Sequence, residues 1–372
     1  MSRTDHSQNN FDLVRVFAAA QVVVVHLISY MPELRSETWL KALSLFPGVP
    51  IFFFISGYLI GGSWRRNPNL AGYIAGRALR IFPGLWAAGL FSLVLLVLLF
   101  PQPLIDNFGT AAMWMAMQLS FLQSWNPPFL RDYGMGVANP VLWTIPVELA
   151  FYVVLPLLVL VGQRIGRLRT LLVGVALVSL LLCWWATALL DRHDPQVELL
   201  RKLMTISPVS FVSWLWMFLL GVLAQLEFER LRPIVTGRAV PFITLATMVG
   251  LVSLVVDLPP VLHLPGNEIG LLNALVNALA CLAVAYSYPG LATRWLRGFD
   301  LSYGVYLYHM PIANALIAVG LVGWRGGLVV MVGTFVCAFL SWVLIERRAL
   351  ALKPRLQRIF DKRARMATGA TT

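Results

Sequence analysis

Residues 11–30 read FDLVRVFAAAQVVVVHLISY. Twenty residues rising 1.5 Å each make a helix of about 30 Å, the thickness of a bilayer's hydrocarbon core. Two charged side chains, Asp12 and Arg15, sit in its first turns, and one histidine, His26, lies near its far end. Such a run, following a polar segment, reads as a first membrane span. Ala18-Ala19-Ala20 resembles a signal cleavage site, but the apolar run continues past it, so an uncleaved span is expected.

The rest of the chain repeats that pattern. Of its 372 residues, 59% are hydrophobic and 12% charged, about half the charge of a soluble domain. Apolar stretches at 11–31, 43–62, 79–100, 141–162, 170–190, 207–226, 239–257, 269–287, 302–321 and 326–346 predict an all-α polytopic membrane protein of about ten transmembrane helices. Segment 111–125 is apolar but short, and Asn126-Pro127-Pro128 ends it, so a re-entrant or interfacial helix is expected there. With the N-terminus in the cytoplasm, 22 of the 29 Lys and Arg fall on inner loops and the tail. The outer loops hold Arg35, Lys41, Arg131, Arg192, Arg201, Lys202 and Arg325. Cationic loops stay inside, so both termini are expected in the cytoplasm. Residues 1–346 then form one transmembrane domain and 347–372 a basic cytoplasmic tail. The net charge of +12 is absorbed by these loops, which leaves membrane lipid as a partner and gives no reason to expect nucleic acid. Cys183, Cys281 and Cys337 lie in apolar stretches and read as core residues, with no disulfide framework and no metal site.

With no stretch long enough for an attached soluble catalytic domain, any chemistry falls to polar residues inside the bundle. An ionisable group at the bilayer centre costs about 2.5–3.5 kcal/mol on insertion scales, so each is a functional candidate. Arg15 and His26 are eleven residues apart, close to three full turns, and so share a helix face about 16 Å apart along the axis. Asp12, one turn before Arg15, is placed to pair with it. Arg15 alone also reads as an ordinary cytoplasmic anchor, and His26 alone as a helix-contact histidine. In the second span, Ser56-Gly57 breaks the aromatic run FFFISGYLI, as small residues do where helices pack closely. Arg77 and Arg80, three apart, project from one face at the cytoplasmic boundary and suit phosphate, either of a ligand or of lipid headgroups. Glu148 lies about two turns below the outer surface, at a depth like that of His26. A His26–Glu148 pair would fix the imidazole tautomer and raise its basicity; the competing reading is an ion pair with an arginine. Ser302, Tyr306 and His309 fall at i, i+4 and i+7 and form a polar stripe in the ninth span. Glu346 reads as structural, paired with a basic group.

Taken in order, these stretches resemble the acyltransferase family 3 membrane proteins over nearly the whole chain, from Asp12 to Glu346. Arg15 and His26 match the family's basic residue and histidine with ten residues between them; FFFISGYLI matches its second span, and Arg77 with Arg80 its paired arginines. WTIPVELAFY at 143–152 and SYGVYLYHMPI at 302–312 resemble two further motifs. Pro146 departs from the family, where a serine-like residue is frequent. The resemblance implies a stand-alone enzyme without a fused hydrolase-like domain, in a bacterial inner membrane. It implies transfer of an acetyl or other acyl group from acetyl-CoA, with no permanently bound cofactor, to a hydroxyl of a carbohydrate acceptor such as a glycan, a lipid-linked sugar or a glycoside. On that basis Arg77 and Arg80, with Arg15, are expected to hold the coenzyme A phosphates. His26 is expected to act as base or acyl carrier, with Glu148 orienting it, and Ser56, Ser302, Tyr306 or His309 to give support. The competing class is a glycan or anion transporter, but neither an inverted repeat nor matching broken helices stand out.

Overall fold

The computed structural model describes residues 9–31, 33–34, 42–190, 210–256, 263–264 and 269–367. The expected loop charges Arg3, Arg35, Lys41, Arg192, Arg201 and Lys202 lie outside the described residues.

In chain order the helices are α1 (Phe11–Tyr30), α2 (Gly48–Arg66), α3 (Leu70–Leu99), α4 (Pro101–Asp106), α5 (Phe108–Gln118), α6 (Thr144–Arg164), α7 (Leu168–Leu190), α8 (Phe211–Leu226), α9 (Phe228–Val235), α10 (Ala239–Val255), α11 (Leu271–Ala285), α12 (Leu291–Leu296), α13 (Ser302–Ala318), α14 (Gly323–Ser341), α15 (Arg347–Leu350) and α16 (Lys353–Ala367). Where they are described, the ten apolar stretches are mainly helix, with residues 269–270 as strand. By length and apolarity five helical stretches suffice to cross a membrane, or six if the bent pair α8–α9, turned by 88°, counts as one. Helices α8, α10, α11 and α13 have 16, 17, 15 and 17 residues, short of the roughly 20 a straight crossing takes. The protein is a multi-pass membrane protein of helices, with one antiparallel pair of two-residue strands, β1 (His263–Leu264) and β2 (Ile269–Gly270), added to the expected all-α fold.

Two boundaries differ from the sequence reading. The third helix starts at Leu70, not near 79, because Asn69 caps it, its side chain accepting from Gly72 N–H. Arg77 and Arg80 therefore stand two to three turns inside a helix. The expected helix at 111–125 ends earlier, at Gln118. The Gln118 side chain turns back to donate to the carbonyls of Gln123 and Trp125, holding 119–125 as turns.

The chain divides into two compact units. The first comprises Met1–Val25, Glu37–Gly62 and Val147–Asp300. Its core gathers Phe11, Phe54, Tyr58, Phe228 and Leu282. Asn10 fixes the entry to α1: its amide donates to Ser287 O at 2.6 Å and its carbonyl accepts from Ala292 N–H at 2.9 Å. Gly57 of α2 lies against the Phe218 carbonyl and Gly221 of α8 against that of Phe54, so a Cβ at either would collide with backbone. The Ser56-Gly57 break thus serves close packing, as its small residues suggest.

The second unit comprises His26–Ser36, Ser63–Pro146 and Leu301–Thr372. Its central element is α13, in which every residue from Ser302 to Ala315 is buried. Helices α3 and α14 pack on it. Tyr303 donates to Ile81 O of α3 at 2.9 Å, and Gly304 lets α14 approach until a Cβ there would stand 2.8 Å from Ala338 Cα. Past Ser341, α14 runs into a π turn, Trp342–Glu346, and then α15. Glu346, expected to pair with a basic group, is buried and accepts from Ser341 Oγ at 2.8 Å. The helical stretch Gly323–Phe360 is 38 residues long, about 57 Å at 1.5 Å per residue, nearly twice a bilayer core. Its apolar part ends at Glu346, and α16 lies beyond it.

Candidate active site

His26 stands on the last turn but one of α1 and His309 in the middle of α13. Their rings lie nearly parallel, 12° apart, with His26 Nδ1 2.9 Å from His309 Nε2. The other nitrogen of His309, Nδ1, is 3.2 Å from the carbonyl of Val305, one turn back on α13. Sequence reading put His309 in a supporting stripe and paired His26 with Glu148; within the second unit the ring that meets His26 is His309. Depth along a helix was readable, but two residues 283 positions apart meet through packing that no local pattern records.

Glu148 sits in the first turns of α6, half-buried. Its Oε1 accepts from Ser56 Oγ at 2.9 Å and from the Tyr152 hydroxyl one turn on. Two hydroxyl donors on one oxygen stabilise a carboxylate in an apolar setting. Tyr152 was quoted within a motif but given no role; its spacing of four from Glu148 on one helix face was the available signal.

Arg15 makes its tight ion pair with Asp300, Nη1 to Oδ2 at 3.0 Å, and a longer one with Asp12 at 3.8 Å, as the i, i+3 spacing suggested. Asp300 went unnoticed because it lies just before a span, where a carboxylate draws no attention. Arg80 places its guanidinium 5.6 Å from the centre of the Tyr303 ring, a cation–π geometry. Gly84, one turn on, makes room for that ring: a Cβ there would meet Tyr303 Cε1 at 2.8 Å. Lys353, at the start of α16, comes back to α3, its Cε 3.2 Å from where a Cβ on Gly76 would stand. Burial first, then the charges of Arg77 and Arg66, hold the Lys353 ammonium below the ordinary lysine range. Lys353 thus joins Arg77 and Arg66, where sequence reading grouped Arg77 and Arg80 with Arg15, and it was hidden in a basic tail that reads as an ordinary inner-leaflet anchor.

Of the remaining candidates, Ser302 is fully buried at the start of α13. The Tyr306 hydroxyl lies 2.8 Å from Thr144 Oγ1 and donates to Val141 O at 3.0 Å, tying α13 to the segment before α6. Among the described residues no group of three or more His, Cys, Asp or Glu has the arrangement of a metal site.

The second unit carries both the histidine pair and the cations. Tyr303, under Arg80, and His309, against His26, are six residues apart on α13, about 9 Å along its axis. Such an arrangement can hold an anion at one end and present an imidazole at the other.

A family model described as an acyltransferase domain matches residues 8–346. Over 371 residues the chain is 33% identical to nodulation protein 10 of Rhizobium leguminosarum bv. viciae, covering 94% of this chain and 95% of that one. It is 25% identical to an O-acetyl transferase of Shigella phage Sf6, over 93% of this chain and 97% of that one. It is also 26% identical to a putative peptidoglycan O-acetyltransferase of Bacillus subtilis, covering 95% of this chain and 56% of that longer protein. No solved structure matches.

Proposed function

The chain belongs to the acyltransferase-domain family, and from that premise we propose that it moves an acetyl group from acetyl-CoA to a hydroxyl of a carbohydrate acceptor at a bacterial inner membrane. Relatives named as O-acetyltransferases support the acetyl group, and those named for peptidoglycan support a carbohydrate acceptor. The observation that carries the reading is the second unit's central helix, which meets the Arg80 guanidinium at Tyr303 and His26 at His309, about 9 Å further along its axis.

In this reading Arg77, Arg80 and Lys353 bind the phosphates of acetyl-CoA at the cytoplasmic end, where guanidinium groups make bidentate, charge-assisted bonds. Arg15, in the first unit, has its guanidinium fixed by Asp300. His26 is the general base. It takes the proton from the acceptor hydroxyl as that oxygen bonds to the thioester carbonyl carbon; the carbon–sulfur bond breaks, and the thiolate leaves with the proton returned by His26. Glu148, in the first unit, has its carboxylate held by Ser56 and Tyr152. The hydroxyls of Ser56 and Tyr306 are committed to these partners, so oxyanion stabilisation is not assigned to them. The tail from 347 on lies in the cytoplasm, where Lys353 reaches the donor.

The test is release of coenzyme A thiol from acetyl-CoA by purified protein, with label transfer from acetyl-CoA to the carbohydrate fraction of membranes. At matched expression His26→Ala is expected to lose about 100-fold or more, the ordinary contribution of a positioned base. Arg80→Ala is expected to raise KM for acetyl-CoA about tenfold, the effect of one lost charge-assisted bond. Full activity in His26→Ala overturns the mechanism. Wild-type protein that neither consumes acetyl-CoA nor labels any glycan overturns the function and leaves a transporter.

A further inference from the structure

The pairing of His26 with His309 specifies protons as well as positions. Val305 presents a carbonyl oxygen, which only accepts, so the hydrogen of the neutral His309 ring sits on Nδ1, the nitrogen 3.2 Å from that oxygen. The other nitrogen, His309 Nε2, then carries a lone pair. It faces His26 Nδ1 at 2.9 Å, and a hydrogen bond at that distance requires the hydrogen to be on His26. With Nδ1 of His26 protonated, the neutral ring has its lone pair on Nε2. One backbone carbonyl thus fixes, through two rings, which nitrogen of His26 is basic. His309 is 1% exposed, so water does not compete for either of its nitrogens.

We propose that His309 is the positioning residue of the transfer reaction: it holds His26 in the tautomer whose Nε2 accepts the acceptor's proton. The proposal rests on the acyl-transfer reading above. When Nε2 takes the proton, His26 becomes an imidazolium and its Nδ1–H bond to His309 becomes charge-assisted, which stabilises the charge without water. When the thiolate takes the proton back, the neutral tautomer is restored, and no oxidant or further reactant is required. The arrangement does the work of the carboxylate in a serine-protease triad with a neutral acceptor, which adds no charge to the membrane interior.

Two variants separate this role from packing. In His309→Gln the amide oxygen reaches the position of Nε2 and still accepts from His26 Nδ1–H. In His309→Asn the shorter amide sits at the position of Nδ1; it keeps a bond to Val305 and leaves His26 without a partner. Both are polar and uncharged, so a merely structural role predicts similar activity for the two. With labelled acetyl-CoA as probe, Gln is expected to keep kcat within about tenfold of wild type, and Asn to lose about 100-fold or more with KM for acetyl-CoA unchanged, as losing the correct tautomer does. Equal kcat in the two variants overturns the proposal, whether both are active or both are dead. His26→Ala is run beside them. If it is inactive while Gln and Asn match, the positioning role fails and the acyl-transfer reading survives; if His26→Ala is fully active, both fall.

Discussion

Helices α7 and α13 are built to opposite plans. In α7 the apolar window Leu168–Trp185 is only 17% buried within the protein, and its surface is leucine and valine. In α13 every residue from Ser302 to Ala315 is buried, yet this helix carries Ser302, three tyrosines, His309 and Asn314. A soluble protein would bury the first sequence and expose the second. In a membrane the surrounding lipid is as apolar as leucine, so apolar side chains gain little by turning inward, while hydroxyls, amides and imidazoles find partners only inside. The more polar helix is therefore the buried one and the one that holds the candidate chemistry. Ser179 of α7 sharpens the contrast, being buried: it donates to Val212 O at 2.5 Å and accepts from Trp216 N–H at 3.0 Å, where α7 packs on α8.

The contrast can be broken by substitution. The largest effect is expected for Gly304→Leu in α13, where even a Cβ would stand 2.8 Å from Ala338 Cα. Overpacking against backbone costs about 3 kcal/mol or more, and the folded, monodisperse species should be lost on size exclusion in detergent. Gly174→Leu in α7 is the control: nothing lies within 4 Å of its Cβ, and yield and thermal midpoint should be unchanged. Next comes Asn314→Ala. Asn314 donates to Val137 O at 2.7 Å and Ala138 O at 3.0 Å and accepts from Met135 N–H at 2.9 Å. Its loss should cost about 2–3 kcal/mol, seen as a lower midpoint and faster proteolysis between 133 and 139. Tyr306→Phe removes only the hydroxyl between Thr144 and Val141, about 1–2 kcal/mol, and should lower the midpoint while leaving KM for acetyl-CoA alone. Ser179→Ala is expected to be the mildest, about 1 kcal/mol. A Ser179→Ala loss larger than that of Asn314→Ala would reverse the ranking of the two helices.

Much of this was legible in the chain itself. The apolar stretches are mainly helix where they are described, because hydropathy measures transfer into lipid, which is what decides them. The third helix was misread at its start for the same reason: a hydropathy window stops at Arg77 and Arg80, whereas a helix stops where its backbone groups find other partners, here at Asn69. His26, Glu148 and His309 were legible as polar groups inside apolar spans, and Arg15, Arg77 and Arg80 as basic groups at cytoplasmic ends. Their partners were not. That His26 meets His309, that Asp300 meets Arg15 and that Lys353 returns to Arg77 are facts of long-range packing, and a single sequence gives a residue's depth and face but not its neighbour.

The π turn at Trp342–Glu346 reaches beyond its five residues. Its i to i+5 pattern stacks side chains five positions apart, which is why Ser341 reaches Glu346. On an ordinary helix those two would point well away from each other. Inserting the extra residue also rotates everything downstream by about 100° relative to an uninterrupted helix. Closing that turn as ordinary α-helix with every residue kept would swing Glu346 out of the interior and carry Lys353 away from Gly76. The phase of the last crossing is in effect a gear setting, and the basic tail engages the rest of the protein only because it is one tooth out of step.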